Sequence, residues 1–362
     1  MITSIIISLI AFFFACIGSR NKNFKGLEIA FAIITIFSCL RYNFGTDYMS
    51  YMEDFDSINK YSVDYILFDS SFKDKGWDII QYYVYPIGWF LFVGLISIFC
   101  NVTYYKLIKR YVPPKDYWLS FFIYVFTFDM FILQQSMIRQ GLAIALLVWV
   151  YILLDKPKQN VKLMFGILFI IGLAFSIHKT VAFAVPFMLL RLLPQKWSKI
   201  TSIVMVGCFF ALFLIKTIFA EMIADIVVLE AFSNLSYYSN ENGAEIGVRA
   251  MLECIPFFIS ALYIYKKGAN SDVTFIILTS MCATMILPFT TIVHLISRVA
   301  FYFSILYIVS IPLTYKEIKI PGLRMCLLAL LMVIQLYVYV DRFNAPSYKK
   351  AFREYHTVFS AF

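Results

Sequence analysis

Apolar stretches of about 20 residues recur along almost the whole chain, broken only by short polar segments. That recurrence restricts the chain to folds built in a lipid bilayer. Hydrocarbon offers no water to backbone N–H and C=O groups, so crossing segments must satisfy them internally, as helices do. The composition agrees, with 61% hydrophobic residues, only 15% charged and a mean hydropathy of +0.79. A water-soluble fold is excluded. The expected architecture is an all-α polytopic membrane protein with about 12 transmembrane helices.

The expected spans are 2–19, 24–40, 84–105, 117–136, 138–154, 161–177, 180–194, 200–220, 249–265, 273–293, 296–315 and 322–340. The fifth and seventh are short, and the seventh carries Pro186, so both also fit half-helices beside a cavity. The chain reads as a single transmembrane domain over 1–362. Three external parts belong to it: a loop at 41–83, an interfacial helix and loop at 218–248, and a tail at 341–362.

Lysines and arginines in alternate loops set the orientation. One set of connections, from Arg20 to Arg324, holds 18 of the 31 basic residues, against the acids Glu28, Asp116, Asp155, Asp272 and Glu317. The other holds 13 basic residues and 17 of the 22 acids. The first set is therefore cytoplasmic, and both termini are external. The net charge of +9 is a topology signal and calls for no nucleic-acid partner. Met1–Ser19 lacks a basic n-region and a small-residue cleavage pattern, so it reads as a retained span.

The seven cysteines all lie in apolar segments without Cys-Xaa-Xaa-Cys spacing, as small core residues do. No Walker A run, Gly-rich dinucleotide loop or His-Glu-Xaa-Xaa-His motif is present. Neither a metal nor a cofactor is expected.

On the external side, Arg41, Arg139, His178, Arg249, His294 and Arg298 stand at the ends of hydrophobic segments. A charge at membrane depth costs several kcal/mol unless it is paired or faces a wet cavity, so these residues are site candidates. Arg41 and Arg249 also fit ordinary snorkelling. Arg139-Gln140 interrupts an apolar run from Tyr117 to Leu154, a step that a tight turn would also use. His294, Arg298 and Tyr302 follow at one-turn spacing and share a helix face, where packing alone would account for Tyr302. Asp129 falls inside the fourth span and needs a partner. His356 in the tail is incidental to this set.

Loop 41–83 is crowded with Tyr, Trp, Asp and Glu. Rings that stack on sugar faces beside carboxylates that bond hydroxyls suit a glycan, and an interfacial aromatic belt predicts many of the same rings. Segment 218–247 opens with Ile218, Phe219, Met222, Ile223, Ile226 and Val227 at helical spacing, a pattern for a helix lying in the outer interface, as a lid over a lateral lipid entrance would.

The chain resembles the EpsG-type polysaccharide polymerases, relatives of the Wzy-type polymerases. The resemblance is carried by Arg41-Tyr42-Asn43-Phe44-Gly45-Thr46-Asp47-Tyr48 with Tyr51, Gly76-Trp77, Ser136-Met137-Ile138-Arg139-Gln140, His178-Lys179-Thr180 with Ala182, and Arg298 with Tyr302. The family tends to place Glu just before the Gly-aromatic pair, whereas this chain has Asp74-Lys75-Gly76-Trp77.

The resemblance implies a glycosyltransferase-C-like arrangement of helices in a bacterial plasma (inner) membrane. It implies a substrate of oligosaccharide repeat units linked by diphosphate to a polyprenyl lipid in the outer leaflet. The expected partners are that lipid-linked oligosaccharide, the bilayer, a chain-length regulator and a flippase. In such chemistry the growing chain leaves its lipid diphosphate and joins a hydroxyl of the incoming unit.

Arginine forks suit a leaving diphosphate, and a His or Asp suits the acceptor hydroxyl. The catalytic candidates are therefore Arg139, Arg298, His178 and Asp47. The substrate-binding candidates are Arg41, Gly45, Tyr48, Gln140, Lys179, Arg249, His294 and Tyr302. A flippase or transporter of the same lipid-linked unit, and a membrane O-acyltransferase using His178 as base, stand as alternatives. The polar residues crowd the external face and do not line a path through the membrane, which favours the polymerase.

Overall fold

The computed structural model describes residues 1–362 except 22, 73, 155–159, 229–247, 268–270, 291–296 and 361–362. Side chains at 195, 213, 216–228, 248–253, 267, 271–272, 290 and 347 also lie outside the described set. The protein is almost wholly helical and divides into two compact units, 1–182 with 335–362, and 183–334.

In the first unit, α1 (Ile2–Arg20) packs on α2 (Gly26–Cys39), and α2 packs on α6 (Trp89–Tyr111). Helix α1 also meets α7 (Tyr117–Phe126), while α6 meets α9 (Ile138–Leu154), which meets α10 (Val161–Ile177). Helix α6 shows which solvent these helices are built for. Its exposed stripe is Leu91, Leu95, Ile98 and Val102, whereas Ser97, Asn101 and Thr103 are buried. Apolar outside and polar inside is the pattern of a helix facing lipid. In such surroundings hydrophobic transfer contributes little between helices, and close packing and interhelical hydrogen bonds hold them together. The core accordingly carries stacked rings, Phe31 on Tyr124 at 5.7 Å, and polar links such as Tyr124 Oη donating to Asn101 Oδ1 at 2.8 Å.

Among the described residues, three helices are long and apolar enough to cross a membrane: α1, α6 and Pro321–Asn344. A fourth crossing arises if Ser297–Ser304 and Tyr307–Glu317, bent by 57°, act as one broken span. Shorter apolar helices include α2, α9 and α10. The expected fifth span coincides with α9.

The expected fourth span is interrupted. Helix α7 ends at Phe126, turns occupy residues 127–131, and α8 (Ile132–Ser136) resumes. Asp129 thus lies in a turn and not within a helix, and Phe128 wedges between Tyr339, Phe343, Tyr348 and Phe352. The short seventh stretch forms two 3-10 segments, Lys179–Phe183 and Val185–Leu192, with Pro186 in the first turn of the second, where a missing N–H is harmless. Helix α11 (Gln195–Val228) continues through the region expected to lie in the interface, and residues 229–247 fall outside the described set.

Segment 41–83 is ordered as three helices, α3 (Tyr48–Ile58), α4 (Val63–Phe68) and α5 (Lys75–Val84). The C-terminal segment returns to the start of this region. Strand β1 (Arg41–Tyr42) pairs antiparallel with β2 (His356–Thr357). Tyr355 stacks on Phe37 at 4.4 Å and donates to its carbonyl at 2.6 Å. The Met1 amino group donates to the carbonyls of Phe352 and Arg353. Met1 and the segment 352–357 therefore sit at the same end of this unit, beside residues 41–45.

Candidate functional site

The loop between α2 and α3 is shaped by backbone that few residues tolerate. Asn43 has φ 48° and Gly45 φ 133°. A Cβ on Gly45 would stand 2.9 Å from Ser136 Oγ and 3.1 Å from the Gln135 carbonyl oxygen, so only glycine fits. The next residue, Thr46, donates its N–H to Ser136 Oγ at 2.7 Å. This contact joins the loop to the junction of α8 and α9, three residues before Arg139.

Arg139 stands in the first turn of α9, where the macrodipole already gathers positive charge. Its Nη1 lies 3.2 Å from Asp74 Oδ2, and its guanidinium lies over the Tyr51 ring at 5.2 Å. Tyr51 is held in turn against the buried Trp77 ring, 5.9 Å away. The same Asp74 oxygen is 3.9 Å from His178 Nδ1, and its other oxygen accepts from the Lys179 backbone N–H at 3.4 Å. One carboxylate from α5 thus joins α9 to the C-terminal end of α10.

A glycine makes that bridge possible. A Cβ on Gly76 would come within 2.6 Å of the Ser176 Cβ, so α5 approaches α10 at its last turn only because position 76 has no side chain. Asp74 occupies the N-cap position of α5 but makes no side-chain cap bond, leaving its oxygens to Arg139, His178 and Lys179. The Arg139 side chain keeps 32% of its surface exposed, against 11% for Asp74. The Arg139 side chain is therefore held at Nη1 by Asp74 while part of its surface stays open.

Two other carboxylates share this surface. Asp78 follows Asp74 by one turn on α5, and Asp54 lies on α3 one turn from Tyr51. Burial pushes the Asp78 carboxyl up to about 6. Arg139 opposes that rise, while Asp74 and Asp54 add to it.

The remaining candidates fall in different places. Arg41 is 2% exposed and turns inward, donating to the Ser38 carbonyl and, at 2.8 Å, to Ser97 Oγ. It borders a cavity of about 20 Å³ of mixed lining, with Asn101, Tyr124, Gln134 and Gln135 beside Ile96 and Ile138. Tyr48 is fully buried and donates to the Arg41 carbonyl at 3.1 Å. Gln140 is buried on α9, and the Lys179 side chain is exposed. Asp47 is half-buried at the N-cap position of α3, without a side-chain cap bond.

Arg298, half-buried, and Tyr302, fully buried, lie on Ser297–Ser304 in the second unit. Arg249 falls in the first turn of the helix Val248–Lys267, with its side chain outside the described set. His294 lies outside the described residues. Among the described residues no group of three or more His, Cys, Asp or Glu could hold a metal ion.

The structure brings Arg139, His178 and Lys179 together through Asp74, which sequence reasoning had noted only as an acid out of its usual place. The signal was present, an acidic residue two positions before Gly76 instead of one.

The fold and this cluster define a helical membrane protein with an arginine–carboxylate–histidine cluster, a candidate site, built between helices. A family model confirms the earlier resemblance: the EpsG family matches residues 27–357, and the chain belongs to that family, which is associated with polysaccharide biosynthesis. No curated protein and no solved structure matches the chain.

Proposed function

We propose that this protein is a polysaccharide polymerase, a glycosyltransferase that joins polyprenyl-diphosphate-linked oligosaccharide repeat units at the outer leaflet of a bacterial plasma membrane. The observation that carries this reading is the Arg139–Asp74–His178 cluster in a chain of the EpsG family. A departing diphosphate develops negative charge, and a preorganised arginine in a partly dry site stabilises it. The Arg139 guanidinium is held by Asp74 on a side chain that stays partly exposed, and the N-terminus of α9 adds its dipole.

His178 or an aspartate, Asp47 among them, serves the acceptor hydroxyl. Arg298 and Arg249 are further candidates for phosphate contacts. In this reading the helices total about 12 crossings in a glycosyltransferase-C-like arrangement, with both termini external. A flippase and a chain-length regulator act beside it.

The test is polymerisation in nanodiscs by purified protein supplied with a lipid-diphosphate-linked repeat unit, read as glycan length. A ladder made without nucleotide and abolished by Arg139→Ala supports the reading. Absence of a ladder with an intact, correct repeat unit, together with movement of that lipid across proteoliposome bilayers, replaces it with a flippase.

A further inference from the structure

The two carboxylates of α5 are not equivalent. Asp74 is engaged on three sides, by Arg139 at 3.2 Å, His178 at 3.9 Å and the Lys179 amide at 3.4 Å. Asp78 lies one turn further on, half-buried, and among the described residues its carboxylate makes no hydrogen bond or ion pair. The helical period puts Asp74, Asp78 and Gln81 on one face. Gln81 is fully buried, and neither atom of its amide has a hydrogen-bond partner among the described residues. That face therefore holds one fixed carboxylate, one carboxylate without a direct partner among the described residues, and a buried amide beneath them.

We propose that Asp78 is the general base of the transfer, taking the proton of the acceptor sugar hydroxyl while Asp74 positions Arg139 and His178. This rests on the polymerase reading above. In the step, the acceptor oxygen bonds to the anomeric carbon of the donor sugar. The bond from that carbon to the diphosphate oxygen breaks, its electron pair staying with the diphosphate beside Arg139. The hydroxyl proton moves to Asp78 Oδ.

The environment suits the task. A base works best when its pKa lies near the operating pH. Unequal surroundings for paired carboxyls divide their roles in this way. The charged groups acting on Asp78 are Asp74 on its own helix, Asp54 from α3 and Arg139 from α9, while His178 at the end of α10 lies 3.9 Å from Asp74. The α4 helix and the 3-10 segment Tyr85–Ile87, which also pack on α5, bring Asp64 and Tyr85.

The experiment compares wild type, Asp78→Asn and Asp78→Glu in nanodiscs with the lipid-diphosphate-linked repeat unit. Initial rates are followed from about pH 5 to about pH 8, and binding of the lipid-linked unit is measured separately. The expected wild-type rate falls on the acid side with a midpoint near 6. Asp78→Asn loses about 100-fold or more in rate together with that limb while still binding the unit. Asp78→Glu keeps part of the rate with the limb displaced.

An Asp78→Asn enzyme with wild-type rate and an intact acid limb overturns the proposal and leaves the polymerase reading standing. If Asp78→Asn does not fold, Asp78→Glu decides, and an unmoved limb in that variant overturns the proposal. No ladder from wild type removes both readings at once.

Discussion

Gly76 passes Ser176 so closely that a Cβ on the glycine would stand 2.1 Å from the serine Oγ and 2.7 Å from its carbonyl carbon. The contact lets the first turn of α5 reach the last turn of α10, and the Asp74–His178 approach depends on it. Gly76→Ala should therefore disturb the site from a position that touches no substrate. Overpacking of this kind costs about 1–3 kcal/mol. The expected outcome is a lower apparent Tm and shortened glycan. Adding Ser176→Gly should recover only part of either, because the backbone conflict remains; full recovery would show that the serine side chain alone sets the spacing.

Arg139 and Asp74 act as a pair, so their single and double replacements should not be additive. Arg139→Ala leaves Asp74 near His178 without its cation, and Asp74→Ala frees the guanidinium from its fixed edge. A double-mutant cycle on polymerisation rate should give a coupling of about 1–3 kcal/mol. Arg139→Lys should lose about 100-fold in rate, because an ammonium keeps the charge but not the planar fork. A lysine variant at wild-type rate would mean that charge alone is used.

The Tyr51 ring supports the guanidinium at 5.2 Å. Tyr51→Phe keeps the face and Tyr51→Ala removes it. A cation–π contact in a partly desolvated setting contributes about 1–2 kcal/mol. Tyr51→Ala should cost about tenfold in rate by loosening Arg139, with Tyr51→Phe closer to wild type. Equal losses in the two variants would assign the effect to the hydroxyl.

What the sequence reveals about this molecule follows what hydropathy can encode. Helix α9 is legible to the residue because Gly141–Leu154 is apolar throughout and Arg139-Gln140 breaks the run just ahead of it. The break at residues 127–131 is not, since Phe128 belongs there only by virtue of Phe343 and Phe352, which lie far away in sequence. Arg41 and Tyr48 stand in a motif beside Asp47, and nothing local distinguishes the inward-turned side chains from the half-buried one. Asp74 is hidden for the same reason: its neighbours come from α9 and α10, and helical periodicity carries no record of them.

The Asp78 carboxyl binds its proton more tightly in the folded protein, at about 6, than its ordinary value of 3.8. The stability associated with that proton is fully present below about pH 4 and is lost as pH rises through about 6. Asparagine has no proton to lose. Asp78→Asn should therefore be more stable than wild type by about 1 kcal/mol near pH 7.5, once solvent screening is counted. The difference should shrink as pH falls through about 6 and close below about pH 4. Thermal unfolding in detergent at both pH values checks this, and a difference independent of pH would contradict it.

Phe352 is fully buried against Phe44, Phe128 and Phe343. Phe352→Ala should cost about 3–5 kcal/mol. Activity should fall with it, because Gly45 N–H donates to the Ala351 carbonyl at 3.2 Å and the loop ahead of α3 would lose that anchor. A variant with reduced Tm but unaltered rate would separate the tail from the site.

The return of the C-terminal segment to residues 37–45 has a further meaning for biogenesis. Tyr355 meets the Phe37 carbonyl across 318 residues of chain. Contacts of such sequence separation form last, after the intervening loop entropy has been overcome. The Arg41–Gly45 loop therefore acquires its final brace only when the ribosome has released the segment around 351–358 and that segment has crossed to the same end of the helices. A chain lacking 351–358 would retain every residue of the Arg139 cluster yet lose this clasp on the loop ahead of α3.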